Sequence, residues 1–174
     1  MNKHLVIWMG LLVVMPIRAE IAPAESTKVE DVKPLIATVA KADKVILYEG
    51  LPHPLFEKKP LEEEKKAKKT IEIAGWAFYA EPLELKEGDG KKILDFVGSA
   101  KSYVAFSGEK KCGGFHPDYA IEWQVGKERY FVLVCFGCSE FKVYGQGKAV
   151  RTDQGGELNK IIKGYRKNRP PSKE

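Results

Sequence analysis

The sequence predicts an α+β fold: a single domain with an antiparallel sheet of about five strands and helices packed on one face. Three observations carry this. The stretch from Ile121 to Tyr144 alternates apolar and polar residues around a short glycine turn, the period of half-buried strands joined as hairpins. Three other segments repeat apolar residues at helical spacing. The 174 residues, 44% hydrophobic and 30% charged, suffice for one core and show no internal repeat.

The N-terminus pairs a short basic start, Lys3 and His4, with a 13-residue apolar run from Leu5 to Ile17. Crossing a bilayer takes about 20 residues. The layout is that of a secretory signal peptide over 1–19, cleaved after Ala19, or after Ala24 where Ala22-Pro23-Ala24 fits the small-x-small rule. Export to a periplasmic or extracellular location is the expectation, with no stable membrane span after cleavage. Losing the two cations Lys3 and Arg18 takes the formal charge from +5 to +3. So small a balance, on an exported chain, argues against a nucleic-acid partner and leaves an envelope or extracellular partner of unknown identity.

A polar, flexible leader is expected over 20–30, and the domain proper over 31–167. Asp31 can cap a helix with Pro34 in its first turn, and Leu35, Ile36, Val39 and Ala40 form its buried stripe. Lys44–Glu49 reads as a strand, closed by Gly50 and the extended turn Pro52-His53-Pro54. His53, isolated between prolines, reads as a surface loop residue rather than a ligand. The charge run from Glu57 to Lys69 reads as a solvated segment that can form a short exposed helix through its i,i+4 Glu–Lys pairs. Thr70–Ala80 reads as a strand interrupted at Gly75. Gly88-Asp89-Gly90 opens a helix that runs to Gly98, and Ser102–Phe106 is a short strand. A C-terminal helix over 156–167 buries Leu158, Ile161, Ile162 and Tyr165. A disordered basic tail, 168–174, follows.

The chemistry gathers between Lys111 and Gly145. All three cysteines lie here, with His116. Gly126-Lys127 suits a two-residue turn between two strands, and Cys135-Phe136-Gly137-Cys138 turns the second strand into a third. A CxxC between strands lacks the helix N-terminus that lowers a thiol pKa in thioredoxin-type sites. The residue after Cys138 is Ser139, so the sequence lacks the histidine of a c-type haem site. Cys112 and His116 precede the first strand of the meander, and antiparallel pairing places the start of that strand beside the end of the second. Cys112, His116, Cys135 and Cys138 therefore form a candidate Cys3His zinc set of structural type. Two alternatives stand beside it. One is a disulfide, either Cys135–Cys138 or Cys112 to the CxxC, which export favours. The other is a set of plain buried thiols.

The pattern Cys-x-x-x-His followed by Cys-Phe-x-Cys, here Cys112, His116, Cys135, Phe136 and Cys138, resembles a group of small exported bacterial proteins. The resemblance covers roughly 111–145 and implies that these four residues belong together. It implies no activity. Gly114-Phe115 stands where other members carry Pro-Arg, so an anion-binding arginine is not implied here. The sequence thus points to a non-enzymatic binding or structural module, with a thiol-disulfide redox protein or sensor as the alternative.

Overall fold

In the computed structural model, which describes residues 24–110 and 113–169, the chain opens with a two-residue strand, β1 (Glu25–Ser26). A 3-10 turn (Val29–Val32), the short helix α1 (Lys33–Ile36) and a second 3-10 turn (Ala37–Lys41) lead into β2 (Lys44–Glu49). After α2 (Lys58–Ala67) come β3 (Thr70–Ile73), β4 (Trp76–Tyr79), α3 (Asp89–Val97) and β5 (Tyr103–Val104). Four consecutive strands follow: β6 (Tyr119–Val125), β7 (Glu128–Cys135), β8 (Glu140–Gly145) and β9 (Lys148–Gln154). The helix α4 (Asn159–Ile162) and a 3-10 turn (Lys163–Tyr165) end the order. The expected signal peptide, 1–19, and residues 170–174 of the expected tail lie outside the described residues.

The result is one α+β domain, with a mixed sheet of seven strands in place of the expected antiparallel five. The strand order β2-β6-β7-β8-β9 is antiparallel throughout. Two short strands then share the free edge of β9. β1 pairs parallel at Ala149 and Val150, and β5 pairs antiparallel at Asp153 and Gln154. Short edge pieces of this kind cover unpaired backbone groups. Tyr119 faces Val134, and Val125 faces Glu128 across the Gly126-Lys127 turn. Gly126 has φ 58°, as a Gly-first turn requires.

Alternation divides the side chains between two faces. Tyr119, Ile121, Trp123, Tyr130, Val132, Val134, Phe141, Val143 and Val150 point to the inner face. There they meet Leu35 and Ile36 of α1, Ile93 and Val97 of α3, and Leu158 and Ile162 of α4. Trp123 is fully buried, stacks on Tyr130 at 5.3 Å, and donates its indole N–H to Thr38 Oγ1 at 2.8 Å. The outer face carries Tyr48, Ala120 and Leu133, covered by Ile73 and Phe78 of a separate two-stranded sheet, β3-β4. α2 packs away from the helical layer, with Leu61 against Leu51 and Tyr79.

Several expectations change. Ala74 (φ 50°) and Gly75 (φ 81°) both take positive φ, so 70–80 is a tight hairpin instead of one interrupted strand. The helix expected from Asp31 is broken into 3-10 and α turns, and the Asp31 carboxylate accepts the Ser26 hydroxyl instead of capping. β9 is a strand the sequence reading leaves unassigned. The C-terminal helix is one turn of α plus one of 3-10. The leader is structured from Glu25 onward, and Asn168 and Arg169, expected in the disordered tail, are bound to the domain as described below.

Candidate functional site at the CxxC corner

β7 ends at Cys135, which pairs with Glu140 at the start of β8. The corner between them is closed by Ser139 N–H donating to the Phe136 carbonyl at 3.2 Å. The left-handed residue of this turn is Ser139, φ 53°, rather than Gly137. The Ser139 carbonyl accepts from Gln154 N–H at 2.8 Å, so the end of β9 holds the corner from the far side.

The segment before β6 runs against this corner, as the antiparallel topology requires. Asp118 N–H donates to the Val134 carbonyl at 2.7 Å, and its Oδ2 accepts from Phe136 N–H at 2.8 Å. The end of β2 closes in from the other side, with Gly50 N–H donating to the Asp118 carbonyl at 2.8 Å. A Cβ at Gly50 would stand 2.0 Å from the Pro117 carbonyl oxygen, so only glycine permits that approach.

Cys135 is buried and its thiol is free. Its sulfur accepts backbone N–H groups from His116 and from Cys138, the latter at 3.2 Å. Burial pushes the thiol above its ordinary pKa, and these two donors pull against it. Asp118 and Glu140 add to the upward push. Cys138 is also buried, with its Sγ 3.2 Å from the Gly114 carbonyl oxygen. The His116 segment and the CxxC are thus brought together, but the contact to Cys135 is made by the His116 backbone.

The His116 imidazole bonds to the Leu51 carbonyl and packs against His53, with ring centroids 4.6 Å apart. Burial, then the Arg169 charge, lowers its pKa to about 4, while Asp118 pulls the other way. It is therefore neutral at pH 7. His53 is half-buried rather than a surface residue. Its Nδ1 accepts from Leu55 N–H at 3.1 Å, and its Nε2 is buried without a partner. Burial lowers its pKa too. A cavity of about 210 Å³ opens beside His116, lined by Leu51, Pro52, Leu61, Trp76 and Pro117.

Among the described residues no group of three or more His, Cys, Asp or Glu is placed to hold a metal ion. His116, Cys135 and Cys138 are all described; Cys112 lies outside. Comparison with protein-family models, with curated proteins and with solved structures finds no match to this chain. Among the described residues no helix is long and apolar enough to cross a membrane.

Sequence reasoning missed a second feature of this end of the molecule. The Glu49 carboxylate, buried at the end of β2, accepts N–H groups from Lys167, Asn168 and Arg169 and from the Asn168 side chain, all at 2.8–3.1 Å. Arg169 then reaches Asp118 at 2.8 Å and Glu57 at 3.2 Å. The partners stand 118–120 residues apart, so no local pattern announces them.

Proposed function

We propose that this chain is an exported, non-catalytic binding module whose CxxC corner is structural: Cys138 forms a disulfide with Cys112, and Cys135 remains a buried thiol. The observation that carries this is the asymmetry of the pair. Cys135 is free, while Cys138 offers no free thiol, and the one other cysteine in the sequence is Cys112. The raised pKa of Cys135 supports the same reading. A redox dithiol needs a depressed pKa on its attacking sulfur, and this corner joins two strands rather than opening a helix.

The bond has a clear mechanical use. Residues 105–110, after β5, and 113–118, before β6, lie against the outer face. Phe106 lies under Arg151 at 4.2 Å, Ser107 and Lys110 bond to Asp153, Glu109 to Arg151, and Phe115 lies under Lys142 at 4.9 Å. A link from 112 to 138 would tie these two segments to the CxxC corner. In the chain-entropy picture closing that loop contributes roughly 3.5 kcal/mol.

The test is thiol counting on denatured, unreduced protein with peptide mapping. One reactive thiol per chain, at Cys135, and a linked 112–138 peptide pair are expected. Three reactive thiols with about one zinc per chain would favour the Cys3His reading instead. A Cys135–Cys138 linkage would favour the redox alternative.

A further inference from the structure

The most exposed large apolar side chains among the described residues are neighbours: Leu55 at 68% and Phe56 at 71% exposure. They sit on the turn between β2 and α2, and that turn is rigidly built. Glu57 N–H donates to the His53 carbonyl at 2.8 Å, His53 N–H donates back to Glu57 Oε2 at 2.8 Å, and Leu55 N–H donates to His53 Nδ1 at 3.1 Å. Pro52 and Pro54 fix their own φ. Phe56 rests one side on the His53 ring, with centroids 4.5 Å apart. A turn so cross-braced holds two apolar side chains in water instead of folding them inward.

The charges around the tip are of one kind where it matters. Lys58 and Lys59 follow directly and are exposed. The nearest acid, Glu57, is already matched by Arg169. Among the described residues Lys59 pairs with Glu63, at 4.0 Å and on open surface, which holds it weakly. The full sequence carries +5, and +3 remains without 1–19.

We propose that the 52–57 turn is a membrane-docking tip, seating Leu55 and Phe56 among anionic lipid headgroups with Lys58 and Lys59 on the phosphates. A convex pair of apolar side chains with flanking lysines suits a bilayer interface, where the rings and chains enter the headgroup boundary and the cations stay at the surface. A second copy fits worse, because a two-fold contact through the tip sets like charges against each other. Two side chains and two lysines make reversible contact only, and the test is scaled to that.

The full chain carrying Phe56→Trp is titrated with phosphatidylcholine vesicles, with and without about one-third phosphatidylglycerol. The expected result is a blue shift of the added indole and its quenching by brominated lipid, confined to the anionic vesicles. Adding Lys58→Glu and Lys59→Glu should weaken apparent affinity roughly tenfold or more. The chain also carries Trp8→Phe, and the signal of Trp76 and Trp123 is subtracted with the variant that lacks Phe56→Trp, so binding through the apolar N-terminal run does not imitate the readout. An indole unmoved by anionic vesicles overturns the proposal, as does an equal response to neutral ones. So does a shift driven by protein concentration without lipid, which would assign the tip to self-association. The thiol count is a separate measurement, so the two readings can fail independently.

Discussion

The two faces of the sheet obey the same alternation and are held by different forces. The inner face is apolar from β2 to β9 and lies under α1, α3 and α4. The outer face is apolar only beneath the β3-β4 hairpin. Toward β8 and β9 it carries Glu140, Lys142, Arg151 and Asp153, met by Phe106, Glu109, Lys110 and Phe115. Area removed from water stabilises the first face without regard to direction. The second depends on particular partners, because a buried charge that loses its partner keeps its desolvation cost. One face should therefore respond to volume, the other to pairing and proton concentration.

The largest effect belongs to the inner face. Trp123→Ala removes the largest fully buried side chain and the hydrogen bond to Thr38. It should cost about 4 kcal/mol in urea unfolding. A loss under 1 kcal/mol would mean that this face collapses around the void, contrary to a close-packed core.

Pairing is tested next. Glu140 is fully buried and meets Arg151 at 2.8 Å. Arg151→Leu leaves that carboxylate without its cation and should cost about 3 kcal/mol. Adding Glu140→Leu should recover most of the loss. If the double variant is as unstable as the sum of the two singles, Coulomb pairing is not what holds this region, and the comparison of faces weakens.

The smallest effect is a slope. His116 has an ordinary pKa near 6.5, lowered in the fold to about 4. Between those values the unfolded chain binds a proton that the folded chain refuses, so stability falls as pH falls. The contribution is intact above pH 6.5, and about 2 to 3 kcal/mol is lost by pH 4. His116→Gln should flatten that part of the stability profile. An unchanged slope would place the proton uptake elsewhere.

The meander from 119 to 145 was legible because its information is local. Gly126 marks one turn, and Ile121, Trp123 and Val125 mark one face. β9 was hidden by the outer face itself: Arg151 and Asp153 are covered only because Glu109 and Lys110 arrive from the segment after β5, so KAVRTDQ shows no apolar alternation. The turns at Ala74 and Gln146 were hidden because these residues bear a Cβ and seldom adopt positive φ. At the candidate site, topology correctly set the His116 segment beside Cys135. Sequence could not say that the backbone of His116, and not its ring, makes the contact, since that depends on Leu51 and His53 arriving from β2's far end.

Glu49 gives the chain an order of completion. Its carboxylate is shed from water only when Lys167, Asn168 and Arg169 deliver their N–H groups. A chain made from its N-terminus completes β2 long before those residues exist. Until they arrive, the far end of β2 holds an acid open to water. Delivery of residues 167–169, rather than assembly of the sheet, is then the step that takes this carboxylate out of solvent.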